Sequence, residues 1–380
     1  MNPSPTVIEL HHGDCVTGMR ALAAESVDVV VTSPPYNLGI KYSKFDDTAS
    51  REDYLNWSVR WATEVRRVLK PDGALFLNVG SAPANPLMPH QLAIRLSELF
   101  VLQNTLHWIK SITVETRAGE LVSAGHFKPI NSPRYVTDCH EYVFHLTKSG
   151  NVPVDRLAVG VPYVHKSNIA RWGHTEGRDK RCRGNNWFVP YETIKSRDAE
   201  RPHPATFPVA LASMCLRAHG AGQESVVLDP FVGIGHAATA ARECGVGRFI
   251  GFDIDGGYLG EAKARLEDLG DEVLMASVPN EAAELPAAPI LVKSADVEPK
   301  KRRGRPPKVR PQMVPANWGD AKVEEGLGDP VATPAPIMPE AAEAVKAPEA
   351  PKLVIVEQAK RRGRPLKPSN EAGMPELELF

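Results

Sequence analysis

Apolar residues recur along the first 270 residues in two rhythms. Short apolar runs predict strands at Ser26–Thr32 (SVDVVVT), Ala74–Val79 (ALFLNV), Ser225–Leu228 and Arg248–Asp253 (RFIGFD), the first of them β-branched. The first, with little polar interruption, suits a strand covered on both faces. Further strands fall near Leu102–Trp108 and Tyr142–Leu146. Helical spacing puts Leu55, Val59, Ala62, Val65 and Leu69 on one face of Arg51–Leu69, and Lys70-Pro71-Asp72-Gly73 then marks a turn. Gln91–Leu99, Ala237–Cys244 and Tyr258–Leu269 also read as helices. Strand–turn–helix alternation of this kind implies an α/β fold with a mostly parallel, doubly wound sheet.

The rhythm fails in two places. Between Lys110 and Asn186, Gly, Asn, His and basic residues accumulate, and loop-rich insertions in regular α/β domains usually carry specificity. Lys128, Arg134, Lys166, Arg171, Arg178, Lys180, Arg181 and Arg183 lie there as candidates for phosphate contacts. From Pro279 onward the chain holds 17 of its 34 prolines and almost no aromatics. Such a segment cannot bury enough apolar surface to offset chain entropy, so it reads as a disordered tail. The expected organisation is a catalytic domain over 1–270, ending near Leu269, a recognition insertion over 110–186, and a tail over 271–380.

Composition narrows the function. Lys+Arg 45 against Asp+Glu 46 leaves a net charge of -1, which excludes a uniformly basic coat, so nucleic-acid contact must come from local patches. No run of 18 apolar residues suggests a membrane span, and the N-terminus lacks the pattern of a secretion signal. Cys15, Cys139, Cys182, Cys215 and Cys244 are dispersed, without a C-x-x-C pair. They read as reduced thiols of a cytoplasmic protein, not as a disulfide framework or a metal site.

Two turns carry the chemistry. Leu228-Asp229-Pro230-Phe231-Val232-Gly233-Ile234-Gly235 lies between a predicted strand and helix, where glycines let backbone N–H groups approach a ligand. Asp253 closes the next strand, 24 residues after Asp229, where an acid typically binds ribose hydroxyls. A tight turn without a ligand needs neither the Asp-Pro-Phe opening nor the strand-end acid. That opening favours an adenosyl ligand without a pyrophosphate. The second turn, Thr32-Ser33-Pro34-Pro35-Tyr36-Asn37, follows the first strand. Two prolines stiffen it and leave carbonyls free to accept. The Ser33 hydroxyl and the flat face of Tyr36 complete a set suited to gripping the exocyclic –NH2 of a stacked base.

TSPPYN resembles the catalytic (D/N/S)PPY motif of DNA amino-methyltransferases, and LDPFVGIG resembles their S-adenosylmethionine motif. The catalytic motif comes first, as in the β group of that family. HHGDC with Asp14 resembles the segment at the cofactor adenine. RPHPATFPVALASMCL, with His203 and Phe207, resembles the H-P-x-x-x-P segment at the methionine part. NNWFVP resembles the Trp-containing strand that ends the recognition region. His236 departs from the usual Thr or Ser, which puts one minor cofactor bond in doubt. The resemblance implies a Rossmann-like, seven-stranded S-adenosylmethionine-dependent methyltransferase sheet. It implies cofactor contacts at Asp14, Thr32, His203, Phe207, Asp229, Pro230, Phe231, Gly233, Gly235 and Asp253, with catalysis at Ser33, Pro34, Pro35 and Tyr36. Cys15, Cys139 and Cys215 then read as core thiols, since direct transfer needs no catalytic cysteine. Trp57 and Trp61, four apart on a helix, read as packing. The implied substrate is double-stranded DNA with the target base flipped out. Ser at the first motif position goes mostly with cytosine N4, Asp mostly with adenine N6; cytosine is preferred and adenine stays open.

In the tail, Lys301-Arg302-Arg303-Gly304-Arg305-Pro306-Pro307-Lys308 recurs 59 residues on as Lys360-Arg361-Arg362-Gly363-Arg364-Pro365-Leu366-Lys367. Both resemble AT-hooks, in which Arg303, Gly304, Arg305 and Pro306, and likewise Arg362, Gly363, Arg364 and Pro365, would lie in a narrow minor groove. The implied enzyme is cytoplasmic and nucleoid-associated, the modification half of a restriction–modification pair with a cognate endonuclease, or an orphan. Two other readings stay open: a chromosome-organising protein whose methyltransferase-like domain is inactive, and an enzyme acting on RNA or protein amines.

Overall fold

A computed structural model describes residues 5–278, apart from 41, 84, 116–118, 126–131, 172–176 and 191–205. His203 and both tail repeats lie outside the described residues.

The chain opens with β1 (Val7–His12), α1 (Cys15–Arg20) and β2 (Val27–Thr32). Next come α2 (Arg51–Val68), β3 (Leu69–Val79), α3 (Met88–Leu96) and β4 (Val101–Ile109). A hairpin of β5 (Ile112–Glu115) and β6 (Leu121–Ala124) leads to β7 (His140–Thr147), α4 (Ser167–Arg171) and β8 (Asn186–Phe188). The remainder is α5 (Val209–His219), β9 (Val226–Asp229), α6 (His236–Glu243), β10 (Arg248–Asp253), α7 (Gly256–Asp268) and β11 (Val273–Ser277). Among the described residues nine strands form one sheet in the order β11-β1-β10-β9-β2-β3-β7-β4-β8. It is parallel from β11 to β3, and β7 runs antiparallel between β3 and β4.

Several expectations change. The sheet has nine strands, not seven, because β11 and β8 extend it at its two margins. β11 is apolar in sequence but mostly exposed, and β8, three residues long, lies within the NNWFVP segment read as a Trp-containing strand. The folded part therefore runs past Leu269, since Ile8 to His12 pair with Val273 to Ser277. Lys70–Gly73 is an irregularity inside β3: Leu69 pairs with Val27, and regular pairing resumes at Ala74 opposite Val29. The stretch 110–186 is not one insertion. β7 is a core strand within it, and it leaves an excursion on either side.

Helices cover both faces. α5, α6 and α7 bury Leu211, Ala237, Ala241, Leu259 and Leu266 against one side. α1, α2 and α3 cover the other. α2 starts at Ser50, which caps the Asp53 N–H, and buries Tyr54, Ser58, Trp61, Ala62, Val65 and Val68. Of the expected face, Ala62, Val65 and Leu69 are buried, whereas Leu55 and Val59 stay half-buried and the large aromatics Tyr54 and Trp61 take core positions beside them. Cys15 and Cys215 are buried core thiols, whereas Cys139 is half-buried and Cys182 exposed. Among the described residues no helix is long and apolar enough to cross a membrane.

Candidate active site

The two motif turns meet at the centre of the sheet. β2 and β9 are neighbours, paired Val29 to Val227 and Val30 to Leu228, and the chain continues from them in opposite directions across the sheet. A crevice opens outside the carboxyl ends of strands at such a point. The Thr32 hydroxyl donates to Asp229 Oδ1 at 2.6 Å, joining residues 197 positions apart. Both side chains are buried. Desolvation pushes the Asp229 carboxyl up to about 7, opposed by the Thr32 and Phe231 bonds. These two residues hold the turns together.

The Gly-rich turn is set by its acids. The Phe231 N–H donates to Asp229 Oδ1 at 3.0 Å. Asp253 accepts from the Gly233 N–H at 2.9 Å and from the Asp255 N–H at 2.8 Å. Burial raises its carboxyl above the usual range, and those two amides draw it back. Gly235 caps α6 at φ +85°, and a Cβ there would come within 3.0 Å of the Ala262 Cβ. Both the conformation and the close helix approach require glycine. Phe231 packs against Trp57 and Trp61, each 5.5 Å away between ring centres. Trp61 is wholly buried, as packing requires, while Trp57 also faces the cavity.

One cavity gathers Asp14, Phe207, Pro230, Phe231, Gly233 and Asp253 from the expected cofactor set, together with Ser33 and Pro35 of the other turn. Asp14 additionally caps α1, accepting from the Thr17 N–H at 2.9 Å. His236, where Thr or Ser is usual, turns its Nδ1–H to the Phe207 carbonyl at 2.7 Å. It therefore braces the 206–208 segment from the start of α6. Tyr42, Lys44 and Phe45 line the same cavity. Their loop is folded by Asp47, 2% exposed, which accepts from the N–H groups of Asn37, Leu38 and Ile40.

Behind Ser33 lies a network that sequence reading missed. The Tyr36 hydroxyl is 2.5 Å from Ser33 Oγ and donates to Glu141 Oε2 at 3.1 Å. Asn78 Nδ2 donates to the Tyr36 hydroxyl and to Glu141 Oε2, each at 2.7 Å, while its own Oδ1 is buried without a hydrogen-bond partner. Lys110 Nζ reaches Glu141 Oε1 at 3.0 Å. Tyr54 donates to the Pro35 carbonyl at 2.8 Å. Tyr36 is only 8% exposed, and burial, with Glu141 beside it, holds its phenol neutral. Asn78 on β3, Glu141 on β7 and Lys110 just past β4 are polar residues that gave no local signal. Of the basic residues in the irregular stretch, Lys166 pairs with Asp179 and Arg183 donates to the Val159 carbonyl at 2.9 Å, so both are engaged within the protein. Lys128 lies outside the described residues.

The cavity offers carboxylates for ribose hydroxyls, an apolar wall for a flat ring and N–H groups at a glycine turn, a donor set that fits S-adenosylmethionine. The profile described as DNA methylase matches residues 27–264. The chain belongs to the DNA methylase family, the N6/N4 amino-methyltransferases, and S-adenosylmethionine is its cofactor. It is 30% identical over 270 residues to the type II methyltransferase M.ScaI of Streptomyces caespitosus, covering 68% of this chain and 81% of the relative. It is 38% identical over 184 residues to M.MjaVI of Methanocaldococcus jannaschii, covering 47% of this chain and 84% of the relative. The fold superimposes on the PvuII DNA methyltransferase (cytosine-N4-specific) with a TM-score of 0.50 at 18% identity, over 72% of this chain and 98% of that one. The protein is thus a DNA methyltransferase.

Proposed function

We propose that this enzyme methylates N4 of cytosine, at a specific site in double-stranded DNA, on a base flipped out of the duplex. The observation that carries the reading is Ser33 at the end of β2, at the rim of the cofactor cavity, on a turn stiffened by two prolines. When bound, S-adenosylmethionine supplies an electrophilic methyl group on a sulfonium. Ser33 Oγ and the Pro34 carbonyl accept from the amine's protons, turn its lone pair out of ring conjugation and aim it along the transfer line. Tyr54 occupies the Pro35 carbonyl, so the two prolines differ in role. Tyr36 provides an aromatic surface for the base, with its hydroxyl tethered in the network behind. Asp14, Phe231, Gly233 and Asp253 would hold the cofactor, whose methyl–sulfonium C–S bond would break as the amine N–C bond forms, leaving the thioether and releasing one amine proton to solvent, with no enzyme nucleophile.

Ser at the first position of the turn favours cytosine; N6 of adenine is the second reading, because both bases present an –NH2 in similar geometry. The tail repeats serve as AT-hooks that hold the enzyme on A·T-rich flanks without setting the methylated sequence. Type II relatives make a cognate endonuclease the natural partner. Sequencing genomic DNA from an expressing host with modified-base detection tests substrate, base and site together. N4-methylcytosine at one recurring sequence is the expected result; N6-methyladenine alone would overturn the cytosine assignment.

A further inference from the structure

Glu141 lies outside both motif turns, on β7, yet its carboxylate touches the catalytic one. Its Oε1 faces Lys110 and its Oε2 accepts from Tyr36 and Asn78. An ionised carboxylate can only accept. The single proton of the Tyr36 hydroxyl is therefore committed to Glu141. The 2.5 Å contact between Tyr36 and Ser33 must then use the Ser33 proton, with the Tyr36 oxygen accepting from Ser33 and from Asn78. Asn78 Nδ2 also donates to Ser33 Oγ at 3.5 Å, so Ser33 turns no proton towards the cavity, only its remaining acceptor capacity.

We propose that Glu141 is a positioning residue that fixes the direction of the chain Ser33 to Tyr36 to Glu141, so that Ser33 can only accept from the substrate. The proposal rests on the reading of Ser33 as the residue that meets the target amine. Its consequence is a rule of substrate class. Cytosine and adenine present an –NH2 donor to Ser33 and are accepted, whereas a keto base would set an oxygen against an oxygen. Successive hydrogen bonds also polarise one another, so the buried charge makes the Ser33 oxygen a stronger acceptor.

The test is the single-turnover methylation rate of the full chain on duplex DNA carrying its site, with S-adenosylmethionine saturating and its affinity checked by calorimetry. Glu141→Gln replaces the charged acceptor of the Tyr36 hydroxyl and should lower the rate by about tenfold to a hundredfold, as expected for one charge-assisted hydrogen bond, with cofactor affinity unchanged. Tyr36→Phe cuts the same chain, so the double variant should lose no more than the worse single. If Glu141→Gln does not fold, Lys110→Met, which frees Glu141 Oε1, is paired with Tyr36→Phe in its place, and their losses should likewise not multiply. A full rate in Glu141→Gln, a loss seen only in cofactor or DNA binding, or losses that multiply in the double variant would each overturn the role of Glu141. A wild-type enzyme that methylates neither cytosine nor adenine would instead overturn the underlying reading of Ser33.

Discussion

Asp253 ties the cofactor cavity to the stability of the fold, and replacing it with alanine separates two effects. In the apo protein its carboxylate accepts from the Gly233 and Asp255 N–H groups at 2.9 and 2.8 Å. Hydrogen bonds to a charged group contribute about 1.5–3 kcal/mol each. Removing a largely desolvated carboxylate returns part of that, because burial already disfavours its charge. The net loss for Asp253→Ala should be about 2–4 kcal/mol in urea unfolding of the apo protein. Cofactor binding should weaken by a further 1.5–3 kcal/mol or so, the cost of ribose hydroxyls without a charged acceptor, which calorimetry reads as roughly 10- to 150-fold in Kd. Asp253→Asn keeps one acceptor but turns an –NH2 towards the second amide, so it should fall between. Unchanged S-adenosylmethionine affinity in the alanine variant would remove Asp253 from the ribose site. Unchanged stability would refute its role as the clamp on the Gly-rich turn.

Three further outcomes are expected. Asp229 has a folded-state value of about 7 against an ordinary 3.8, so its proton favours the native state: this contribution is complete below 3.8 and is lost as pH rises through about 7. Apo stability should decline across that window, and Asp229→Asn, which still accepts from Thr32, should flatten the decline in denaturation at several pH values. Tyr54→Phe strips the Pro35 carbonyl of its buried donor and should cost about 1–2 kcal/mol by thermal unfolding, with a reduced methylation rate and unchanged cofactor affinity. A chain ending after Val278 should fold and methylate the same sequence, but lose its preference for A·T-rich flanks and show a shallower salt dependence, as should alanine at Arg303, Arg305, Arg362 and Arg364; a flank preference equal to that of the full chain would refute the AT-hooks. Ending at residue 270 would instead strip β11 from β1.

Much of the fold was legible in local pattern. β2, β9 and β10 are short and apolar because their central residues are buried in a parallel sheet, and such strands announce themselves in sequence. The two turns were legible because their chemistry is local: proline rigidity, glycine freedom and a strand-end acid need only a few consecutive residues. The mostly exposed β11 was not, nor the burial of Tyr54, Trp61 and Val68 on α2, since burial there depends on what packs alongside; β8 was legible only through the resemblance of NNWFVP to a Trp-containing strand. Only the tertiary structure brings Thr32 to Asp229 and Tyr36 to Glu141, 197 and 105 positions apart. A carboxylate at Glu141 carries no periodic or motif signal, because its role comes from the strand order β2-β3-β7, which sets Asn78 and Glu141 behind the catalytic turn. The sequence by itself determined which chemistry the chain carries; strand adjacency decided which partners orient it, because hydrogen-bond direction depends on neighbours in space and not along the chain.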